Sequence, residues 1–266
     1  MSSIEKSGFL SEEIANWIRK HRVENHKWFS LCEEINEFSH ATMLSMTIHN
    51  EDLIELISVS LFVRGMSNFQ GSIIMAERGM VNESKALLRC LLECMFSIVA
   101  VEKDRNVLNQ FVLEDLHQRK DYLKAYKRNQ SAAVPQEGPP REELDKLLHN
   151  IEKEIEEKNI RKMQKRELAE KAGLVAIYDS AYKLLSGTIH VNARDLEQYL
   201  ELNEDGEVKR ILWGPDVKEI DLLLFTAAES MLYILKSVSG IFQISYDETW
   251  DKIIEKYNKL GKKIVA

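Results

Sequence analysis

The chain has 266 residues, 44% hydrophobic and 30% charged, with a formal net charge of −7 and a pI near 5.6. This describes a folded protein with a substantial core, and it excludes wholesale electrostatic binding of nucleic acid. Only 11 glycines and 4 prolines interrupt the chain, so long helices are expected. The start of the sequence lacks the basic, apolar, small-residue order of a signal peptide, and no uncharged apolar run reaches membrane-spanning length. The expected location is the cytoplasm, with no membrane partner. The three cysteines, Cys32, Cys90 and Cys94, are an odd number, the usage of free thiols in a reducing compartment.

The expected fold is mainly α, an antiparallel helical bundle with one small β-hairpin inserted, in a single domain spanning 1–266. A first helix is expected from Ser11 to about Met46, because Ile14, Trp17, Ile18, Trp28, Leu31, Ile35 and Phe38 recur at helical spacing. After a junction at Thr47 to Glu51, the stretch Leu53 to Glu77 is again apolar at helical period. Gly65 and Gly71 inside it permit close helix contact, Gly79 is a stop, and Asn82 can cap the central helix.

That central element is Ala86 to Val101, ALLRCLLECMFSIVAV, in which only Arg89 and Glu93 are charged. A helix apolar on every side must be enclosed. Asp104 can cap the next helix, which reaches Lys127. Residues 129–140 (NQSAAVPQEGPP) hold three of the four prolines and read as a loop. From Arg141 to Lys171 nine acidic and nine basic residues surround a narrow stripe of Leu144, Leu147, Leu148, Ile151 and Ile155. Together, residues 129–172 are expected to form a loop and a protruding charged helix or helical hairpin. Its apolar side would gain most by packing on a second copy, so a homodimer is expected.

Apolar density returns at Leu174 to Leu185, and Ser186-Gly187 can interrupt or end that helix. Residues on either side of Asp205-Gly206 alternate as in a β-hairpin. Pro215 then breaks the chain before a second strongly apolar helix, Ile220 to Ile244, and an amphipathic one from about Asp247 to Leu260.

Arg89 and Glu93 lie one helical turn apart, and a buried pair needs further hydrogen-bond partners. His190, delivered inward after Ser186-Gly187, is expected to face them, with Tyr182, Ser186 and Asn192 nearby. The candidate catalytic residues are therefore His190, Arg89 and Glu93, and the candidate ligand-binding residues are Tyr182, Ser186 and Asn192. The same cluster also fits a satisfied polar knot that fixes helix register.

Other constellations are weaker. Glu37-x-x-His40 and Glu114-x-x-His117, with Glu93 between, have the spacing of di-iron bundles, but such pairs arise by chance in a chain this rich in glutamate, and their order departs from that pattern. Cys90 and Cys94 share a helix face without a second close pair to complete a soft-metal site. The helical ribonucleases of the higher-eukaryote and prokaryote nucleotide-binding (HEPN) type carry Arg followed by His after four to six residues late in their fold. Here Arg19 precedes His26 with six between, but early in the chain, and His190 precedes Arg194 in reverse order. Gly-rich phosphate loops, nucleophile elbows, His-Glu-x-x-His helices and paired CxxC motifs do not occur. No cofactor and no metal are expected.

Glu83, Arg89 and Glu93 in NESKALLRCLLE, followed by YKLLSGTIHVN, a DG hairpin and a closing apolar helix, resemble an uncharacterised family of bacterial all-helical proteins. That family, a domain of unknown function, shows an Arg-x-x-x-Glu core helix and a Leu-Ser-x-x-x-His segment. The likeness runs from Leu53 to Gln243, excluding the charged excursion. It implies a bundle with a polar centre at Arg89, Glu93, Ser186 and His190 and, for some relatives, association with mobile or antiviral loci. It implies no reaction. The expected function is a non-catalytic binding or effector module of a bacterial defence or stress system, with a protein or RNA as partner. The alternatives are a HEPN-like metal-independent ribonuclease using His190 and Arg89, and a metal-dependent helical-bundle oxidoreductase.

Overall fold

A computed structural model describes residues 3–129, 140–189 and 196–265. The fold is mainly α with one small antiparallel hairpin, as the composition predicts. A short α1 (Ser3–Ser7) and a 3-10 turn precede α2 (Ile14–Glu24) and α3 (His26–Ser45). The single first helix expected from periodicity is thus broken. At Asn25 the backbone leaves helical geometry (φ −110°, ψ 23°), and the Asn25 amide donates to the His21 carbonyl oxygen at 3.2 Å. A local side-chain bond of this kind competes with the helical ladder.

The next helix, α4 (Leu53–Glu77), has the boundaries its periodicity gives, and Asp52 caps it by accepting from the Ile54 and Glu55 amides. It ends at a left-handed Gly79 (φ +70°): the Gly79 amide donates to the Ala76 carbonyl and the Met80 amide to the Met75 carbonyl, the paired bonds of a Schellman motif. The central helix, α5 (Val81–Lys103), is longer than Ala86 to Val101. Asn82 is not its cap. It lies within the first turn, where its amide donates to the Tyr199 hydroxyl at 2.7 Å.

Every residue from Cys94 to Val101 is buried, so this end of α5 is enclosed on all sides. Around it pack α4, α6 (Asn106–Asn129), α8 (Lys165–Ala172), α10 (Lys183–Ile189) and α11 (Ile220–Phe242). The last of these also packs on α3, α4 and α12 (Glu248–Val265). Helix α11 is long and apolar enough to cross a membrane, but 67% of its most apolar stretch is buried within this fold. Gly65 allows the close approach of α4: a Cβ there would lie 3.2 Å from Ile234 Cδ1 and 3.7 Å from Cys94 Cβ.

The charged excursion divides in two. Helix α7 (Arg141–Glu157) lies along α6, burying Leu144, Leu148 and Ile155, with Lys124 paired to Glu152 at 2.6 Å and Lys127 to Asp145. Of the apolar stripe that suggested a homodimer, Leu144, Leu148 and Ile155 are covered within the chain, whereas Leu147 stays 42% exposed and Ile151 is half-buried. In contrast, α8 does not protrude, because Leu168, Ala169 and Ala172 are buried against the core and α5. Beyond it the chain runs through α9 (Val175–Ile177), a π-helical turn over Tyr178–Tyr182, and α10. Strands β1 (Leu200–Leu202) and β2 (Val208–Ile211) then pair around a left-handed Gly206, with a bulge between Glu201 and Leu202.

Gly79 joins this hairpin region to the bundle. Its carbonyl accepts from the Asp216 amide at 2.9 Å, and a Cβ on it would meet Trp17, Pro215 and Asp216 at 2.7 to 2.8 Å. Gly79→Ala should therefore lower unfolding free energy by more than about 1 kcal/mol, through left-handed strain and overlap together, read as a lower urea midpoint at unchanged slope. An unshifted midpoint would refute the account.

Candidate functional site

The polar cluster forms where α5 meets the segment Val175–Ile189. Arg89 directs its guanidinium three ways: Nε donates to Ser186 Oγ at 3.1 Å, Nη2 to the Tyr182 hydroxyl at 3.0 Å, and Nη1 pairs with Glu93 Oε1 at 3.1 Å. Its charge also sits 5.0 Å from the Tyr182 ring centroid, a cation–π contact. The Tyr182 hydroxyl donates to Glu93 Oε1 at 2.9 Å, and Ser186 Oγ donates to the Tyr182 carbonyl at 2.8 Å. Lys165 of α8 pairs with the other Glu93 oxygen at 3.2 Å. Donors and acceptors are matched across three segments of chain.

The π turn sets this geometry. It widens the helix by one residue at Tyr178–Tyr182, and the two tyrosine rings stack at 5.0 Å, with Phe96 of α5 edge-on to Tyr182 at 5.7 Å. Burial, followed by the neighbouring Glu93 charge, pushes the Tyr182 phenol up to about 12. Arg89 and Glu93 remain partly exposed, each side chain at 25%.

Of the residues expected to meet here, Arg89, Glu93, Tyr182 and Ser186 do so. His190 and Asn192 lie outside the described residues, as does Arg194. Lys165 is an addition that no spacing signalled, being one lysine in a stretch dense with charge.

The other constellations have different roles. Glu114 accepts from the Met163 amide and His117 Nε2 donates to the Ile160 carbonyl at 2.9 Å, so this pair ties the linker after α7 onto α6. On α3, His40 hydrogen-bonds Gln70 of α4 at 2.9 Å. Among the described residues, no three His, Cys, Asp or Glu side chains gather as metal ligands would. Arg19 and His26 are exposed on separate helices, with partners at Asn16 and the Val23 carbonyl. Burial pushes the Cys94 thiol up to about 11 and the Cys32 thiol to about 12, the behaviour of packed rather than ligating sulfur.

A cleft of about 420 Å³ lies beside the cluster, between the first half of α5, the segment Ile177–Leu185 and α11. Leu88, Ala181, Leu184, Leu185, Leu222 and Phe225 line it. At its rim Lys85 pairs with Glu219 at 2.7 Å. Sequence reasoning did not find this cleft, because it is made by side chains from three separate stretches. A wider groove of about 850 Å³ between α6 and α7 is walled by Lys124, Lys127, Asp145 and Glu152, which pair with one another.

A family model described as "Family of unknown function (DUF5677)" matches residues 55–208, from α4 through the first residue of β2. The match takes in Arg89, Glu93, Lys165, Tyr182 and Ser186, and it stops short of the 53–243 over which the likeness was read. Neither the curated proteins nor the solved structures gave a match.

The closed network has a measurable weight. In Tyr182→Phe, Arg89 loses an acceptor and Glu93 a donor where the hydroxyl is buried, so stability should fall by roughly 1–3 kcal/mol in urea unfolding. A variant as stable as the parent would show that the network holds nothing together.

Proposed function

We propose that this chain, which belongs to the family of unknown function DUF5677, is a non-catalytic helical binding module, of a kind suited to a bacterial defence or stress system. The observation that carries this reading is the closure of the polar cluster. Each polar group of Arg89, Glu93, Tyr182 and Ser186 is already engaged by another member or by Lys165, so that among the described residues the cluster is closed on itself. A general acid or base works best with a pKa near the operating pH, and a phenol held at about 12 is far from it. The cluster then serves as a latch that holds the Tyr178–Ile189 segment on α5. That segment in turn forms one wall of the apolar cleft, whose volume lies in the range of small-molecule sites. The defence or stress setting is what the family resemblance read from the sequence implies.

The test is to incubate the protein with labelled single-stranded and structured RNA in the presence of chelator, alongside Arg89→Ala and His190→Ala. No cleavage above background is expected from any of the three. Cleavage by the parent that either substitution abolishes would overturn the reading in favour of a metal-independent ribonuclease. Metal found stoichiometrically in the purified protein would overturn it in favour of the oxidoreductase.

A further inference from the structure

The cleft beside the latch carries one carboxylate that its apolar walls do not explain. Glu229 lines it from α11, half-buried, and among the described residues it has no cationic partner; its hydrogen bond comes from the Tyr257 hydroxyl of α12. Burial holds its carboxyl above the usual range, and burial together with the Glu229 charge raises the Tyr257 phenol as well. A carboxylate drawn from water without a counter-charge is costly, and native folds avoid it unless something offsets the cost. The cation nearest in the same cleft, Lys85, is taken by Glu219 at 2.7 Å.

The cleft is also elongated. Glu219 and Glu229 are ten residues apart on or just before α11, so at the helical rise they are about 15 Å from one another along its axis. Between them lie Leu222, Leu223, Phe225 and Thr226. Leu184 and Leu222, which line the same cleft, are 63% and 42% exposed. An apolar trough whose first carboxylate, Glu219, is paired with Lys85 and whose second, Glu229, has no cation is complementary to a molecule with an apolar body and one positive group.

We propose that this cleft binds a small organic cation, an alkyl- or arylammonium whose apolar body lies along Leu184, Leu185, Leu222 and Phe225 and whose charged nitrogen sits on the Glu229 carboxylate. The proposal deepens the binding-module reading and rests on it. Phe225 stacks on Tyr257 at 5.1 Å and so stiffens the end of the cleft where the ammonium is held. The cation gives Glu229 the counter-charge it lacks, and the apolar body covers the exposed leucines.

The experiment is calorimetric titration of the full chain with octylammonium, octanol and octanoate, which share one apolar body and differ in charge. Octylammonium should bind at least about tenfold more tightly than octanol, and octanoate more weakly than either. Glu229→Gln should bring octylammonium to the affinity of octanol. Leu184→Ser, at an exposed position where folding is not at stake, should weaken octylammonium by severalfold. If octanol binds as well as octylammonium and Leu184→Ser weakens both, the cleft is a site but the charge assignment is overturned while the binding-module reading stands. Undetectable binding of all three, or capture only of a lysine-bearing amphipathic peptide, overturns the small-cation proposal. RNA cleavage in chelator overturns the module reading itself, whatever the titration gives.

Discussion

An α-helix that is apolar on every side has to be walled in, and the enclosure of α5 decides where the rest of the chain goes. From Cys94 to Val101 no face of it is left to water. Five helices pack on it, and small residues at two of these contacts permit close approach. Gly65 lets α4 approach Cys94, and Ala169 and Ala172 bring α8 onto the same helix. The cost of ordering so much chain is offset by apolar burial rather than by ion pairs, because the charged pairs of α6 and α7 are largely exposed and such pairs contribute little. Arg89 and Glu93 sit toward the other half of α5, where the enclosure is incomplete and a polar pair can be solvated in part and satisfied in part.

Much of this was legible in the residues. The boundaries of α4 follow from its periodicity and the glycine beyond it, since apolar spacing and a left-handed stop are both local properties. The hairpin follows from Asp205-Gly206 for the same reason. That Arg89 and Glu93 would find Tyr182 and Ser186 was a longer step. It rested on the need of a half-buried pair for further partners and on Ser186-Gly187 ending an apolar helix close to the core, an argument aimed at His190, which lies outside the described residues.

The hidden features depended on tertiary context. The break at Asn25 involves neither glycine nor proline and is held by one side-chain amide. Helix α8 reads as solvated because charges outnumber apolar residues in it, yet three small or branched side chains suffice to seat eight residues on α5. Lys165 entered the cluster through that docking, which no pattern around Glu93 signals. The π turn is likewise invisible to a 3.6-residue reading, because the extra residue is accommodated by stacking Tyr178 on Tyr182 and not by any turn-forming sequence. Nothing in the sequence singles out Glu229 for a related reason: its surroundings come from α5, the Ile177–Leu185 segment and α12, none of them adjacent in sequence.

The latch and the cleft occupy neighbouring rows of one short helical segment, and this joins their energetics. Tyr178, Tyr182 and Ser186 follow one another at one-turn spacing and face α5, whereas Ile177, Ala181, Leu184 and Leu185 form the adjoining row and line the cleft. A helix seven residues long beyond a π turn has little stability of its own, so its position is set by the groups it bonds to. The Arg89 fork fixes it from one side. Anything that fills the cleft presses on the same backbone from the other, and by linkage whatever favours the docked segment favours both. By holding one wall in place, the polar cluster sets the shape of the cleft.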